Sequence, residues 1–585
     1  MNTLPSSHLL SNIPQLFNIT SKNSFPNPNV NRRNIISTDI IISSPSFPRK
    51  LLKCNVQRFN LVTILNALDE FICKFLDSPL PTCVDPGHVL AGNFAPTDEL
   101  PPTLCDTIEG SIPSCLEGGA YIRNGPNPQF IPRGPYHFFD GDGMLHMIKF
   151  SKGNEATFCS RYVETYKYLA EREVGYPFVP SIFASFNGVP ATVARLGLNM
   201  ARVILGQFDP MNRGFGVANT SLSVIGNRLY ALCESDLPYE VKLTSEGDIL
   251  TVGRSDFCSV EPLLRMTAHP KVDRETGEVC AYKYDVVPPY ITFFCIDSDG
   301  RKQRELPIYS MKEMTIIHDF AVTKSYVVFP DLQLVVNPWK ILRGKSPVGV
   351  DACKVPRLGI VPKDATDEFG LWWIDCPGLN LLHCFNAWEE DDGDTIVMIV
   401  SNSASVEHVL EKIQSSPELT MEKVTISVRR KTMERRRLCS RSLDFATINP
   451  AYATKKTRYV YAGMVGEMRW EGVVKLDLLL SGDGDECTVA SRVYEPGWCG
   501  GEPFFVASNR STTTDEEEEE DEDEDEDDGY LVTYVHDDKC NESMFLVMDA
   551  QSPTLETVAA VKLPHRVPNG IHAIFLLPTQ LDALH

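Results

Sequence analysis

Four of the twelve histidines sit in matching settings: His269 in "MTAHPKVD", His318 in "TIIHDFAV", His383 in "LLHCFNAW" and His572 in "GIHAIFL". Each lies in or beside an apolar, strand-like run, where an imidazole costs free energy unless it finds a partner. A single histidine of this kind reads as a hydrogen-bonded core residue. Four together can share the cost by binding one metal through neutral ring nitrogens. Their separations, about 50, 65 and 190 residues, are too long for a zinc finger or an H-E-x-x-H helix. They suit ligands donated from the inner strands of successive propeller blades, where distant sequence meets on one axis.

The elements needed for that are present. From about Gly119 onward, short apolar runs recur between Gly, Pro, Asp and Asn, among them "SLSVIGNRLYALCE", "YITFFCID", "SYVVFPD", "TIVMIVSN", "RYVYAGMV" and "SMFLVMDA". Many short strands at regular intervals predict a large all-β barrel, sandwich or propeller. No internal repeat of the WD or kelch kind accompanies them. Two segments, 61–78 and 190–208, instead carry apolar residues at helical spacing. They read as helices packed on the β body, with an apolar face dipping into a membrane surface as the sharper alternative.

Composition narrows the setting. The 585 residues carry a net charge of −23, but the run Asp515–Asp528 alone supplies fourteen negative charges, and without it the balance is −9. That run reads as a disordered loop inserted between strands, and the negative balance argues against nucleic acid as a partner. Seventeen cysteines without a C-x-x-C pair fit a reducing compartment and no disulfide scaffold. Residues 1–53 are rich in Ser and Asn, include basic residues and have no acid before Asp39, which reads as an organelle transit peptide, leaving 54–585 as the working chain. No apolar stretch reaches the length of a membrane-spanning helix.

The blocks "GAYIRNGPNPQF", "GPYHFFDGDGMLHMIKF", "MTAHPKVDRETGE", "HDFAVTKSYVVF", "NAWEEDDGDTIVM", "LDFATINPAY", "GGEPFFV" and "PHRVPNGIHAIF" follow in an order that resembles the carotenoid cleavage dioxygenases. The resemblance runs from about Leu61 almost to the end and is strongest for the plastid fourth subfamily of the plant enzymes. It implies an all-β, seven-bladed propeller with a helical dome, and one Fe(II) per chain held by His269, His318, His383 and His572. It further implies three acids behind the histidines, matching Glu234, Asp444 and Glu502, with Asp444 shorter than the glutamate many relatives carry there. The physics agrees, since a metal-bound imidazole usually gives its other N–H to a carboxylate, and the acids offset the metal charge. "FDGDGM" and "RNGPNP" read as structural turns, and His137 and His146 receive no metal role.

The implied activity is scission of one double bond of a carotenoid or apocarotenoid by dioxygen, at 9,10 or 9′,10′, giving an apocarotenal and an ionone-type ketone. Peripheral contact with plastid membrane or plastoglobule lipid is implied, with no obligate protein partner. One block departs from the family. Relatives usually read V-P-Y-G-F-H-G where this chain has Val567-Pro568-Asn569-Gly570-Ile571-His572-Ala573. An alanine at 573 would be strained if that position had positive φ. This departure keeps two alternatives open: a catalytically weak propeller that binds carotenoids at plastid lipid surfaces, and an enzyme of the same fold acting on another alkene such as a stilbene.

Overall fold

Strands with no polar face, such as Ile291–Ile296, are buried along their whole length. Side chains alternate across a strand, and here both faces meet apolar neighbours. Phe293 and Cys295 enter the core shared with the next sheet, while Phe294 and Ile296 enter the core shared with the preceding one. Repeated around the molecule, this arrangement makes a ring. The computed structural model describes residues 49–584 except 182, 185, 261–262, 407–417, 467–468, 483–485 and 509–525.

Seven antiparallel sheets of four or more strands form the blades of a β-propeller. Blades two to six are consecutive in sequence, at 221–254, 271–308, 321–375, 381–437 and 443–493. The remaining two close the ring by exchanging chain ends. Blade one pairs Ala120–Asn124 with the C-terminal strand Ile571–Leu576, and blade seven pairs Thr107–Gly110 with Thr557–Lys562. An apolar core fills each blade junction, including the last, where Tyr121, Ile148 and Phe158 of blade one meet Val532, Phe545 and Val561 of blade seven. The expected all-β propeller class is therefore realised.

The longest helices are α1 (Arg49–Phe75), α2 (Tyr166–Val174) and α3 (Val189–Ile204). The expected helical segments correspond to the latter part of α1 and to α3. Proline in the first turn and a left-handed glycine before it, Gly188 at φ 87°, set the start of α3. The two helices pack through Leu65, Ile72, Ala191 and Leu198. Polarity is inverted on α3, because its arginines point inward. Arg195 Nη1 donates to Asp77 Oδ1 at 2.6 Å, and the fully buried Arg202 donates to Asn66 and Gln207. Val193, Met200 and Ile204 face outward instead.

Two expectations about disorder meet the structure only in part. The expected leader lies outside the described residues up to 48, and α1 is already under way at Arg49. Of the acidic run, 515–525 lie outside the described residues, but its end is not a free loop. Glu526 is buried, accepting hydrogen bonds from the Thr457 hydroxyl and the backbone N–H groups of Arg458 and Tyr459, and Asp527 pairs with Lys475. Buried carboxylates are stable when hydrogen-bonded in this way. The sixteen cysteines from Cys73 to Cys540 are free thiols, and among the described residues no helix is long and apolar enough to cross a membrane.

Candidate metal centre

Each blade contributes one of the seven residues singled out in the sequence. His269 and His318 stand just ahead of the short inner strands Lys271–Val272 and Ala321–Val322, His383 lies on Leu381–Glu390, and His572 on Ile571–Leu576. The acids come from the other three blades: Glu234 just past Arg228–Leu232, Asp444 on Leu443–Thr447, and Glu502 just before Phe504–Ala507. Residues more than 300 positions apart therefore meet on one axis.

The four imidazoles converge. His269 Nε2 lies 3.0 Å from His318 Nε2, which lies 3.2 Å from His383 Nε2, and the facing nitrogens of all four lie within 4.8 Å of one another. His572 Nε2 is buried without a hydrogen-bond partner. Four ring nitrogens aimed at one point with so few protons to share form a poor hydrogen-bond network and a good ligand set. The donors thus fit one transition-metal ion bound by neutral imidazoles.

Behind them, the opposite ring nitrogens find carboxylates. His318 Nδ1 is 2.7 Å from Glu234 Oε1, and His383 Nδ1 is 2.8 Å from Asp444 Oδ1. Glu502 Oε2 accepts the backbone N–H of His572 at 2.6 Å and lies 3.3 Å from its Nδ1. Such contacts fix the tautomer that leaves Nε2 free for a metal. Among the described residues no acid stands behind His269; its backbone N–H donates to Thr267 Oγ1. Burial, reinforced by the neighbouring histidines, pushes its pKa well below the ordinary value and keeps it neutral. Burial works the same way on His383, but the Asp444 carboxylate outweighs it and raises the pKa. Desolvation opposes ionisation of Glu234 and Asp444, yet the histidine partners hold both below the usual carboxylate range.

Irregular backbone aims these side chains. The pairing of Ile571–Leu576 with Ala120–Asn124 slips between Ala573 and Ile571, so His572 is the extra residue of a bulge, at φ 51°. Bulges re-aim side chains next to active sites, and a non-glycine residue held at positive φ stores strain. Ala573 itself is absent from the positive-φ residues and pairs with Arg123, so the expected condition for strain at this alanine is not met. Asn569, in place of the family tyrosine, accepts a hydrogen bond from Asn93 Nδ2 at 3.1 Å beside a cavity of about 170 Å³.

Several residues at the site are not singled out by their own sequence pattern. Asp319, buried, pairs with Lys271 at 2.6 Å and accepts the backbone N–H of Cys384 at 2.7 Å, tying the segments of His269, His318 and His383 together. Phe445, at φ 52°, sets its ring 5.2 Å from that of His383 and 5.8 Å from that of His572. Adjacency to His318 and to Asp444 was the available clue. His137 and His146 lie outside the cluster; His137 accepts from the Phe139 N–H and shapes the expected turn. A second group, Glu278, Cys280 and Cys295, lies on blade three, but the Glu278 carboxylate is already engaged by Lys363 and Arg304.

The family model described as "RPE65: Retinal pigment epithelial membrane protein" matches residues 93–577. A probable carotenoid cleavage dioxygenase 4, chloroplastic, of Arabidopsis thaliana is 49% identical, covering 96% of this chain and 92% of its own. A carotenoid 9,10(9′,10′)-cleavage dioxygenase 1 of Phaseolus vulgaris is 34% identical over 89% of this chain and 94% of its own. Among solved structures, cobalt-substituted apocarotenoid oxygenase of Synechocystis shares the fold with a TM-score of 0.67 at 24% identity, covering 85% of this chain and 99% of that one.

Proposed function

Because the chain belongs to the RPE65/carotenoid oxygenase family, we propose that it is a non-haem Fe(II) dioxygenase that splits one double bond of a carotenoid or apocarotenoid. The observation that carries this reading is the set of four converging Nε2 atoms, three of their rings backed by acids, with one residue of the set from every blade. The 9,10 or 9′,10′ bond is favoured by the resemblance of the signature blocks and by the activity for which the Phaseolus relative is named. An apocarotenal and an ionone-type ketone are the products.

His269, His318, His383 and His572 hold the iron, which when bound supplies the one-electron chemistry that activates dioxygen. Glu234, Asp444 and Glu502 keep the Nδ1 protons on the far side of the rings and offset the metal charge. Phe445 and Phe385 shield the His383 ring from water, the latter with its ring 5.9 Å away. No side chain needs to act as nucleophile, so the protein's work is to bind the polyene and position one bond.

The test is incubation of the iron-loaded chain with a panel of carotenoids and apocarotenoids under labelled dioxygen. Labelled ionone-type ketone and the matching apocarotenal are expected. A chain that carries iron and consumes no member of the panel contradicts the reading, and labelled fragments from another bond correct its regiochemistry.

A greasy substrate must leave lipid to reach the centre, and the helices offer a means. Ile64, Leu68, Phe71 and Phe75 recur at helical spacing on the exposed side of α1, as do Val189, Val193, Leu196, Met200 and Ile204 on α3. Exposed apolar stripes of this kind mark interaction surfaces. They dock on plastid membrane or plastoglobule lipid, consistent with the leader composition and with the chloroplastic relative. Each fully buried side chain of this size contributes about 1.5–3 kcal/mol. The double variant Leu196→Glu, Met200→Glu is therefore expected to lose flotation with galactolipid vesicles at least tenfold (about 1.4 kcal/mol), while turnover of detergent-dispersed substrate persists. Unchanged flotation would remove this surface from the account.

A further inference from the structure

Arg123 is 2% exposed, at the junction of blades one and seven, and makes no ion pair among the described residues. Its guanidinium lies over the Tyr534 ring at 4.9 Å, and Nη2 donates to the Pro568 carbonyl at 2.5 Å. A buried cation on such terms is costly, and burial holds its pKa below the ordinary arginine value. The carboxylate whose charge acts on it is Glu502.

The fork also fills two spaces that only glycine leaves open. A methyl group on Gly501 would lie 2.8 Å from Arg123 Nη1, and one on Gly570 would lie 2.8 Å from Arg123 Nε. Gly501 immediately precedes Glu502, and Gly570 comes two residues before His572. Arg123 itself is paired with Ala573, at the point where the ladder slips and His572 bulges out. One rigid, planar group therefore sits against the backbone just before the fourth histidine and just before its acid.

We propose that Arg123 is a positioning residue, whose guanidinium clamps the 568–570 and 501 segments together so that Glu502 holds His572 in its strained, inward-facing bulge. This rests on the reading that the four histidines hold a metal. The histidines on blades three to five are tied together by Asp319 and Lys271; His572 arrives from the far end of the chain and lacks that tie. Its bulge needs an independent support, and a lysine could not supply one, having a point charge where the arginine presents a planar fork.

The test uses Co²⁺ alone as the probe of the full chain, with affinity and visible d–d spectrum as readouts, for Arg123→Lys, Glu502→Ala and the double variant. Arg123→Lys is expected to weaken Co²⁺ binding by about 10–100-fold, the range for groups that orient metal ligands, and to alter the spectrum. Within the Glu502→Ala background, where that contact is gone, the same substitution should change affinity by less than about threefold, because neighbours acting through one contact are not additive. Gly501→Ala, which keeps the charge but displaces the fork, serves if Arg123→Lys does not fold, and should weaken binding in the same direction. A melting temperature that falls while affinity and spectrum stay unchanged, or an equal loss in both backgrounds, overturns the proposal. A native chain that binds no Co²⁺ overturns the metal reading beneath it instead.

Discussion

His383→Ala yields a chain that retains no metal through dialysis and forms no detectable cleavage product. Two effects add. One of four converging nitrogens disappears, and Asp444, 2% exposed and kept ionised by this histidine, loses its charged partner in a dry interior. Removing a group that merely orients a ligand typically costs 10–100-fold in affinity, so removing a ligand costs more than about 100-fold. The Asp444 carboxylate still accepts the Phe445 N–H at 2.8 Å, so the blade keeps part of its local structure. Breaking a buried pair of this kind nevertheless costs about 3–5 kcal/mol, and the metal-free variant should melt below the metal-free native chain. Metal analysis and a melting curve on the same sample read both effects; a variant that keeps stoichiometric metal would remove His383 from the ligand set.

Asp444→Asn separates charge from shape. The amide oxygen can still accept from His383 Nδ1, so the ring stays oriented, but the negative charge behind it is gone. Metal affinity is expected to fall about 10–100-fold. The His383 pKa, now raised chiefly by Asp444 against the pull of burial, should drop below its native position in the metal-free chain. Isothermal titration with Co²⁺ and NMR titration of His383 measure the two. Loss of affinity without movement of the histidine pKa would mean that Asp444 acts through packing alone.

The histidines were legible because an imidazole inside an apolar strand stands out, and four such strands at long intervals suggest convergence. The acids were legible only through the family resemblance, since nothing in "CESDLPY" or "GGEPFFV" announces a partner 70 or more residues away. Arg123 and Asp319 escaped for the same reason. Their partners lie across blade junctions, with Arg123 reaching a carbonyl 445 positions along the chain, and local pattern cannot encode such contacts. The bulge at His572 escaped because positive φ is expected of glycine, and here a histidine adopts it while the suspected Ala573 does not. Within the acidic run, composition cannot tell Glu526, which accepts three hydrogen-bond donors at the start of Tyr459–Val465, from its neighbours. The propeller was readable from strand rhythm as an all-β class; its double closure, with blades one and seven exchanging chain ends, is a property of the ring that no local stretch records.

Iron content is the most direct measurement of the central claim. The chain from about Cys54, purified without oxygen in the presence of Fe(II) and shown to be folded, is predicted to hold about one iron per chain, the capacity of a single four-histidine site. A folded chain with little or no iron would contradict the account, leaving a propeller that binds its ligand without the means to cleave it.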